Sequence, residues 1–345
     1  MSAYLNGNPI KWLMEDCGME IRHLCARDIL RPLLGESAVA DEYERLRASH
    51  EYRHFFSLAR DGVLGDRRGF DLVGRGAMWR FAEAVARGYD RRELAVRETA
   101  GFLIGRCRGG SGGFVMNWTP AVEAACVTGA MVRRLIEAGF DDDSIGRGIA
   151  WITSHQRHDG GWLHCPIAGT ADVFRLLLLR RAGSGLSREE DRMVGSCVFA
   201  SFECLMALLE YEERRGVAAE ASGRAIEFFL ENRMFMGPFR GAGAACVAGG
   251  RRSGFSRYGY PVFLQYDTIS GLIAIARSGR LADWRANGAF NAMLAAQNAD
   301  GSFPAMGRSR GMPGRGGRLA RDPWVTLNAL RILTRAGLVR PEELV

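Results

Sequence analysis

The sequence predicts an all-α chain folded as an (α/α)6 toroid, an inner ring of helices inside an outer ring. Three observations predict it. A seven-residue phrase recurs, as Arg108-Gly-Gly-Ser-Gly-Gly-Phe114, Gln156-Arg-His-Asp-Gly-Gly-Trp162, Gly249-Gly-Arg-Arg-Ser-Gly-Phe255 and Gln297-Asn-Ala-Asp-Gly-Ser-Phe303. Its copies begin at 108, 156, 249 and 297, so the intervals are 48, 93 and 48. They approximate one, two and one units of about 47 residues, a period typical of stacked helix pairs. Between the copies lie apolar-periodic segments of helical length, with little strand-like alternation. Six of these segments follow Gly-rich or polar loops, and most are followed by a shorter helical partner.

Taken in order, the first 60 residues predict extra helices over 20–34 and 41–58 that close or cap the ring. Residues 61–345 then form the toroid, and the whole chain is one compact domain. The inner helices are expected over 69–87, 119–138, 170–182, 196–214, 260–279 and 322–336. The outer partners are expected over 91–105, 142–155, 218–232 and 282–295. The third unit is irregular, because no phrase occurs near 203, and 183–195 reads as a shortened outer helix. Asp141-Asp-Asp-Ser144 before Ile145 supplies acceptors and negative charge for a helix start. Gly139 and Gly279 end the preceding helices. Within the phrase, the Gln can bond a neighbouring helix end, Gly-Gly permits a tight reversal, and the aromatic packs on the next unit. Gln156, Trp162, Gln297 and Phe303 therefore read as staples between units.

At 345 residues and 47% hydrophobic, the chain can bury a large core. No apolar run is long enough for a transmembrane helix, and residues 1–12 do not read as a signal peptide. The eight cysteines are scattered without a C-x-x-C pair, which suggests reduced thiols and a cytoplasmic protein. The net charge of +7 comes from Arg, Lys11 being the only lysine. It favours an anionic ligand or surface, but no nucleic-acid motif is present and no nucleic-acid partner is expected.

The phrase resembles the QW motif of squalene–hopene cyclases and protein prenyltransferase β subunits, which are α/α toroids around an apolar cavity. A wider resemblance is to uncharacterised bacterial and archaeal prenyltransferase- or squalene-cyclase-like proteins, and it runs nearly end to end. It is carried by Asn8-Pro-Ile-Lys-Trp-Leu13, Ile21-Arg22, Ala26-Arg27-Asp28, Asp159-Gly-Gly-Trp162 with Cys165, Ser201 to Glu212, Tyr266-Asp267, Asp322-Pro-Trp324 and Leu327 to Arg331. The resemblance implies the toroid and an isoprenoid-type ligand. The Asp-x-Asp-Asp acid of class II cyclases and the Asp-Asp-x-x-Asp of class I enzymes are both absent. Phe199 and Gln265 stand where relatives often carry His.

Several residues are candidates for chemistry. Glu123, Asp172, Glu203 and Asp267 are expected in the first halves of inner helices. There an apolar pocket would raise a carboxyl's pKa and suit it to acid–base work, and Tyr266 adjoins Asp267. The alternative is a carboxylate paired with an arginine or a helix end. Trp79, Trp118, Phe199, Phe202, Phe263 and Trp324 either line an apolar cavity or fill a core. Arg251 and Arg252, in a Gly-rich loop at the mouth formed by helix N-termini, are candidates for an anionic head group. Cys126, Cys165, Cys197 and His164 offer zinc ligands, and Zn²⁺ or Mg²⁺ is the cofactor considered. The leading expectation is a terpene cyclase/prenyltransferase-like protein that binds or transforms an apolar ligand with an anionic head. The alternatives are a non-catalytic binding or scaffold toroid and a zinc-dependent, thiol-directed transferase.

Overall fold

The computed structural model describes residues 3–117, 121–163, 195–216, 220–236, 266–305 and 320–345. The described chain is mainly helical, as composition and periodicity imply. The N-terminal part holds α1 (Ile10–Glu15), α2 (Met19–Cys25), a π-helical turn (Ala26–Leu30), α3 (Arg31–Ala48) and α4 (His50–Phe56). A two-residue antiparallel ladder, β1 (Ala59–Arg60) with β2 (Val63–Leu64), follows. Then come α5 (Ala77–Ala86), α6 (Leu94–Cys107), α7 (Ala125–Glu137), α8 (Asp143–Ser154), α9 (Val198–Arg215), α10 (Glu220–Glu231), α11 (Thr268–Arg277), α12 (Asn287–Ala295) and α13 (Pro323–Arg335). The expected helix at 170–182 lies outside the described residues, as does most of 183–195.

Two kinds of helix alternate. Core helices are apolar nearly all round: α5 exposes only Arg80 and Glu83 appreciably, and α7 buries Ala125 to Val132 without a break. Such helices must be enclosed on every side. Covering helices bury one stripe, Val96, Thr99, Ala100, Leu103 and Cys107 on α6, and Ile145, Gly148 and Ile152 on α8. Along the core series α5 packs on α7, α7 on α9, α9 on α11, and α11 on α13. Helix α13 in turn packs on α2 and the π-helical turn. Glu20 of α2 meets the chain just after α5, accepting from Arg87 Nη1 at 2.7 Å and from Tyr89 Oη at 3.1 Å.

The repeated phrase acts as a clamp on the following core helix, in the same register three times. The backbone N–H of Phe114 donates to Thr128 Oγ1 at 2.8 Å, that of Trp162 to Ser201 Oγ at 2.9 Å, and that of Phe303 to Thr326 Oγ1 at 2.9 Å. The three aromatic carbonyls accept from the N–H groups of Ala124, Cys197 and Asp322, the N-cap residues of α7, α9 and α13. Each hydroxyl stands four residues beyond its N-cap, one turn into the helix. Glycine is required two residues before each aromatic. Gly160 and Gly301 have φ of +85° and +83°, and a Cβ there would lie 2.3 Å from Arg224 O and 2.2 Å from Gly7 O. Gln156 Nε2 donates to Gly160 O at 2.8 Å and to Ala221 O on α10 at 2.7 Å, joining one unit to the next.

The second phrase holds α9, so the helix expected as the fourth inner one is the partner of the phrase at 156–162. Helix α7 lies directly on α9. A Cβ on Gly129 would stand 2.5 Å from Cys204 N and 2.6 Å from Glu203 C, so the two backbones touch there. Cys204 Sγ reaches Ala125 O at 3.3 Å across the same crossing. Gly129→Val is expected to force the helices apart and to cost about 3 kcal/mol, read as a lowered urea midpoint. A midpoint unchanged from wild type would contradict this crossing.

Candidate functional site

At the C-terminal ends of the core helices lies a cavity of about 820 Å³. Its wall draws on the π-helical turn, the start of α3 and the last turns of α5, α7, α9, α11 and α13. Sequence reasoning looked to the opposite ends, where helix N-termini and Gly-rich loops gather. The wall is strongly charged, with Arg27, Arg31, Arg133, Arg134, Arg277, Arg331 and Arg335 facing Asp28, Asp90, Glu137, Glu210 and Glu213. Arg134, Arg277 and Arg335 occupy the last turns of α7, α11 and α13, where unpaired carbonyls and the helix dipole favour cations.

The charges form a linked network. Arg133 Nε donates to Glu137 Oε1 at 2.8 Å, and Arg134 also pairs with Glu137. Arg277 bridges Glu210 and Glu213, the latter at 2.9 Å, and Arg335 reaches Glu213 at 2.7 Å. Arg331 Nε donates to Asp28 Oδ2 at 2.9 Å, Arg27 Nε to Asp28 Oδ1 at 2.6 Å, and Arg331 Nη1 to Asn328 Oδ1 at 2.7 Å. Burial alone would raise the Asp28 and Glu137 carboxyls, but their paired arginines outweigh it and hold both well below the usual carboxylate range. Glu210 goes the other way: burial raises it, Glu137 adds to the rise, and Arg277 does not fully offset them. Two further donors in the wall, Arg134 Nε and Asn328 Nδ2, are buried and meet no acceptor among the described residues. A buried donor without an acceptor is costly, and both belong to residues lining the cavity.

The residues singled out from sequence are placed elsewhere. Asp267 is not within a helix but is the N-cap of α11, its Oδ1 accepting from Ser270 N at 2.7 Å. Glu123 also precedes its helix, pairing across to Val115 in an isolated bridge. Its carboxylate accepts from Ser111 N at 3.0 Å and Trp151 Nε1 at 2.9 Å, tying the first phrase to α8. Both positions follow from the need of helix starts and loops for acceptors. Glu203 is fully buried on α9, 3.5 Å from Arg133 Nη1, and so sits behind the charged network. Tyr266 is buried, donates to Met234 O at 3.1 Å, and packs edge-on against Phe202. Burial pushes its hydroxyl well above the ordinary tyrosine value.

Trp79, Phe202 and Trp324 are buried in the hydrophobic core, and Phe199 is half-buried against it. Trp79 Nε1 donates to Asp71 O at 3.1 Å, and Arg133 lies over the Phe202 ring. Cys126 and Cys197 are buried, Cys197 as the N-cap of α9. Among the described residues no group of three or more His, Cys, Asp or Glu side chains is arranged to hold a metal ion. Asp172, Trp118, Phe263, Arg251, Arg252, Cys165 and His164 lie outside the described residues. Among those described, no helix is long and apolar enough to cross a membrane.

The cavity residues were missed, although the sequence carries a trace of them. Arg133, Arg134 and Glu137, then Glu210 and Glu213, then Arg277, then Arg331 and Arg335 all interrupt the C-terminal halves of otherwise apolar helices at helical spacing. Charge on an all-round buried helix needs a polar partner or a cavity.

No protein-family model matches the chain. No curated protein matches it. Among solved structures, the Lin0763 protein from Listeria innocua is similar at 12% identity with a TM-score of 0.47, over 94% of this chain and 86% of that one. A protein from Actinoplanes is similar at 14% identity with a TM-score of 0.33, over 83% of this chain and 98% of that one.

The network predicts an acid-sensitive fold. Asp28 and Glu137 titrate below their unfolded values, so their contribution is present above about pH 4 and is lost as pH falls. His23, buried against Tyr43 with neither ring nitrogen hydrogen-bonded among the described residues, is pushed down to about 4 by burial. The unfolded chain titrates this group near 6.5, so between about 6.5 and 4 it binds a proton that the folded chain refuses, and stability falls with pH. His23→Phe is expected to remove that part of the slope in urea melts from pH 7 to 4. An unaltered slope would place the acid sensitivity elsewhere. Asp28→Asn is expected to cost about 3 kcal/mol at pH 7, because two cations lose their shared partner; a loss below about 0.5 kcal/mol would mean that solvent replaces the pair.

Proposed function

We propose that this protein binds a small polar ligand bearing an anionic group in the cavity at the C-terminal ends of its core helices, within a closed ring of the (α/α) toroid type. The observation that carries the reading is the cavity wall itself. Seven arginines from several elements surround about 820 Å³ of space. Guanidinium groups are suited to carboxylate and phosphate.

Ring closure is supported by the order of contacts. The core series runs α5, α7, α9, α11, α13, and α13 meets the N-terminal α2, whose Glu20 meets the chain after α5. In this reading the N-terminal segment supplies the sixth member of the inner ring.

The anionic head of the isoprenoid-type ligand implied by the sequence resemblance fits this wall. An apolar tail has less support, since Trp79, Phe202 and Trp324 are packed in the core. The reading is closest to a ligand-binding toroid, and no catalytic step is assigned to it. Thermal melts with citrate, glycerol 3-phosphate, farnesyl diphosphate and farnesol test it. A ligand at a hundred times its Kd contributes about 2.7 kcal/mol, so the three anions are expected to raise the Tm by several degrees and farnesol to leave it unchanged. Arg331→Met, which removes a cavity cation, is expected to abolish the shifts. Stabilisation by farnesol alone, or shifts unchanged in the variant, would overturn the proposal.

A further inference from the structure

The cavity's carboxylates are not held alike. Asp28 is held by Arg27 and Arg331, Glu137 by Arg133 and Arg134, and Glu213 by Arg277 and Arg335. Among the described residues Glu210 pairs with Arg277 alone, a cation it shares with Glu213. Its side chain is 17% exposed, so it is neither solvated nor sealed off. Helix α7 brings two charges to bear on it, the Glu137 carboxylate, which repels it, and Arg133, which is committed to Glu137 and Glu203. From α11 it meets Arg277, and along α9 Glu213 lies one turn on. On the covering helices, Arg147 of α8 pairs with Asp143 and Glu227 of α10 with Arg280 and Arg285. Glu210 thus shares its cation with a second carboxylate, Glu213, and faces a third, Glu137, so an incoming anion at Arg277 competes with an anion already crowded by like charges.

Resting on the anion-binding reading of this cavity, we infer that the ligand's oxyanion, a carboxylate or phosphoryl group, takes the place of Glu210 at Arg277, and that Glu210 is protonated as it is released. The balance is simple: one ion pair is exchanged for another, and the glutamate carboxylate gains one proton from solvent. The reason is electrostatic. A displaced Glu210 would face Glu137 and the bound oxyanion in a partly desolvated wall without its cation, and the neutral acid is the favoured form there. As an acid it can donate its O–H to the oxyanion that displaced it. Its resting environment already tends that way, since burial raises its carboxyl above the ordinary value despite Arg277. Binding at this site is therefore proton-linked, tightening as pH falls.

Sulfate is the probe, because its own charge is constant between pH 5 and 8. Calorimetric titrations of the full chain, at fixed ionic strength and in two buffers of different ionisation heat, measure both affinity and protons taken up. The expected result is uptake approaching one proton, with affinity weakening up to about tenfold per pH unit above the Glu210 pKa. Glu210→Gln, an uncharged mimic of the released state, is expected to bind sulfate at pH 7.5 as tightly as wild type does in acid, with no uptake. The wild-type uptake stands as a test even if that variant fails to fold. Binding without proton uptake, or an unchanged pH slope in Glu210→Gln, would overturn this inference while leaving the anion site. No sulfate binding at any pH would overturn both. Succinate and glycerol 3-phosphate, compared at pH 8 where both are ionised, show which oxyanion the exchange prefers.

Discussion

A pair of hydrogen bonds made by one loop residue, repeated three times, fixes where α7, α9 and α13 begin. An aromatic residue's N–H meets a hydroxyl one turn into the helix, and its carbonyl meets the N–H of the N-cap residue. Both partners are groups that a helix start leaves unsatisfied or exposed. The aromatic side chain is buried by the same arrangement, Phe114, Trp162 and Phe303 all being inaccessible or nearly so. One short loop therefore solves three problems together: it ends a covering helix, starts a core helix and plugs the space between them. With the helix starts fixed in this way, the apolar lengths of α7, α9 and α13 are carried into one core.

This division of labour leaves the two ends of the helices in different electrostatic states. At the starts, acidic side chains are used up as caps: Asp267 and Asp322 accept from backbone N–H groups of their own helices. At the other ends no phrase intervenes, and the carbonyls and dipoles attract arginines, whose carboxylate partners come from neighbouring helices. The Arg277 bridge between Glu210 and Glu213 and the Arg331 link to Asp28 join α9, α11, α13 and the N-terminal π-helical turn. The polar cavity arises where apolar packing stops and these charges must face one another.

The fold was legible in sequence to the extent that it rests on local chemistry. The described covering and core helices overlap the segments that periodicity marks, although α5, α7 and α11 begin at 77, 125 and 268 rather than at 69, 119 and 260, and the phrase marks the joints, because glycine at a positive φ and a buried aromatic both leave a signature in the residue types. Which phrase holds which helix was not legible: Trp162 bonds to Ser201, 39 residues away, and no periodicity encodes so distant a pair. The cavity was missed for a related reason. Asp267 and Glu203 drew notice as carboxylates near helix starts, yet a capping aspartate and a functional one have the same sequence appearance. Arg277 and Glu210 are 67 residues apart, and their pairing depends on the packing of α9 against α11.

The distance between phrase and helix is not constant. Nine residues separate Phe114 from Ala124, 18 separate Phe303 from Asp322, and 34 separate Trp162 from Cys197. The closing contacts are nonetheless the same. Lengthening such a connection from nine to 34 residues costs only about 1 kcal/mol of closure entropy, well within what two buried hydrogen bonds and an aromatic side chain return. The joint is thus indifferent to its cargo. The helices on either side keep the same pair of closing contacts whether nine or 34 residues lie between phrase and helix.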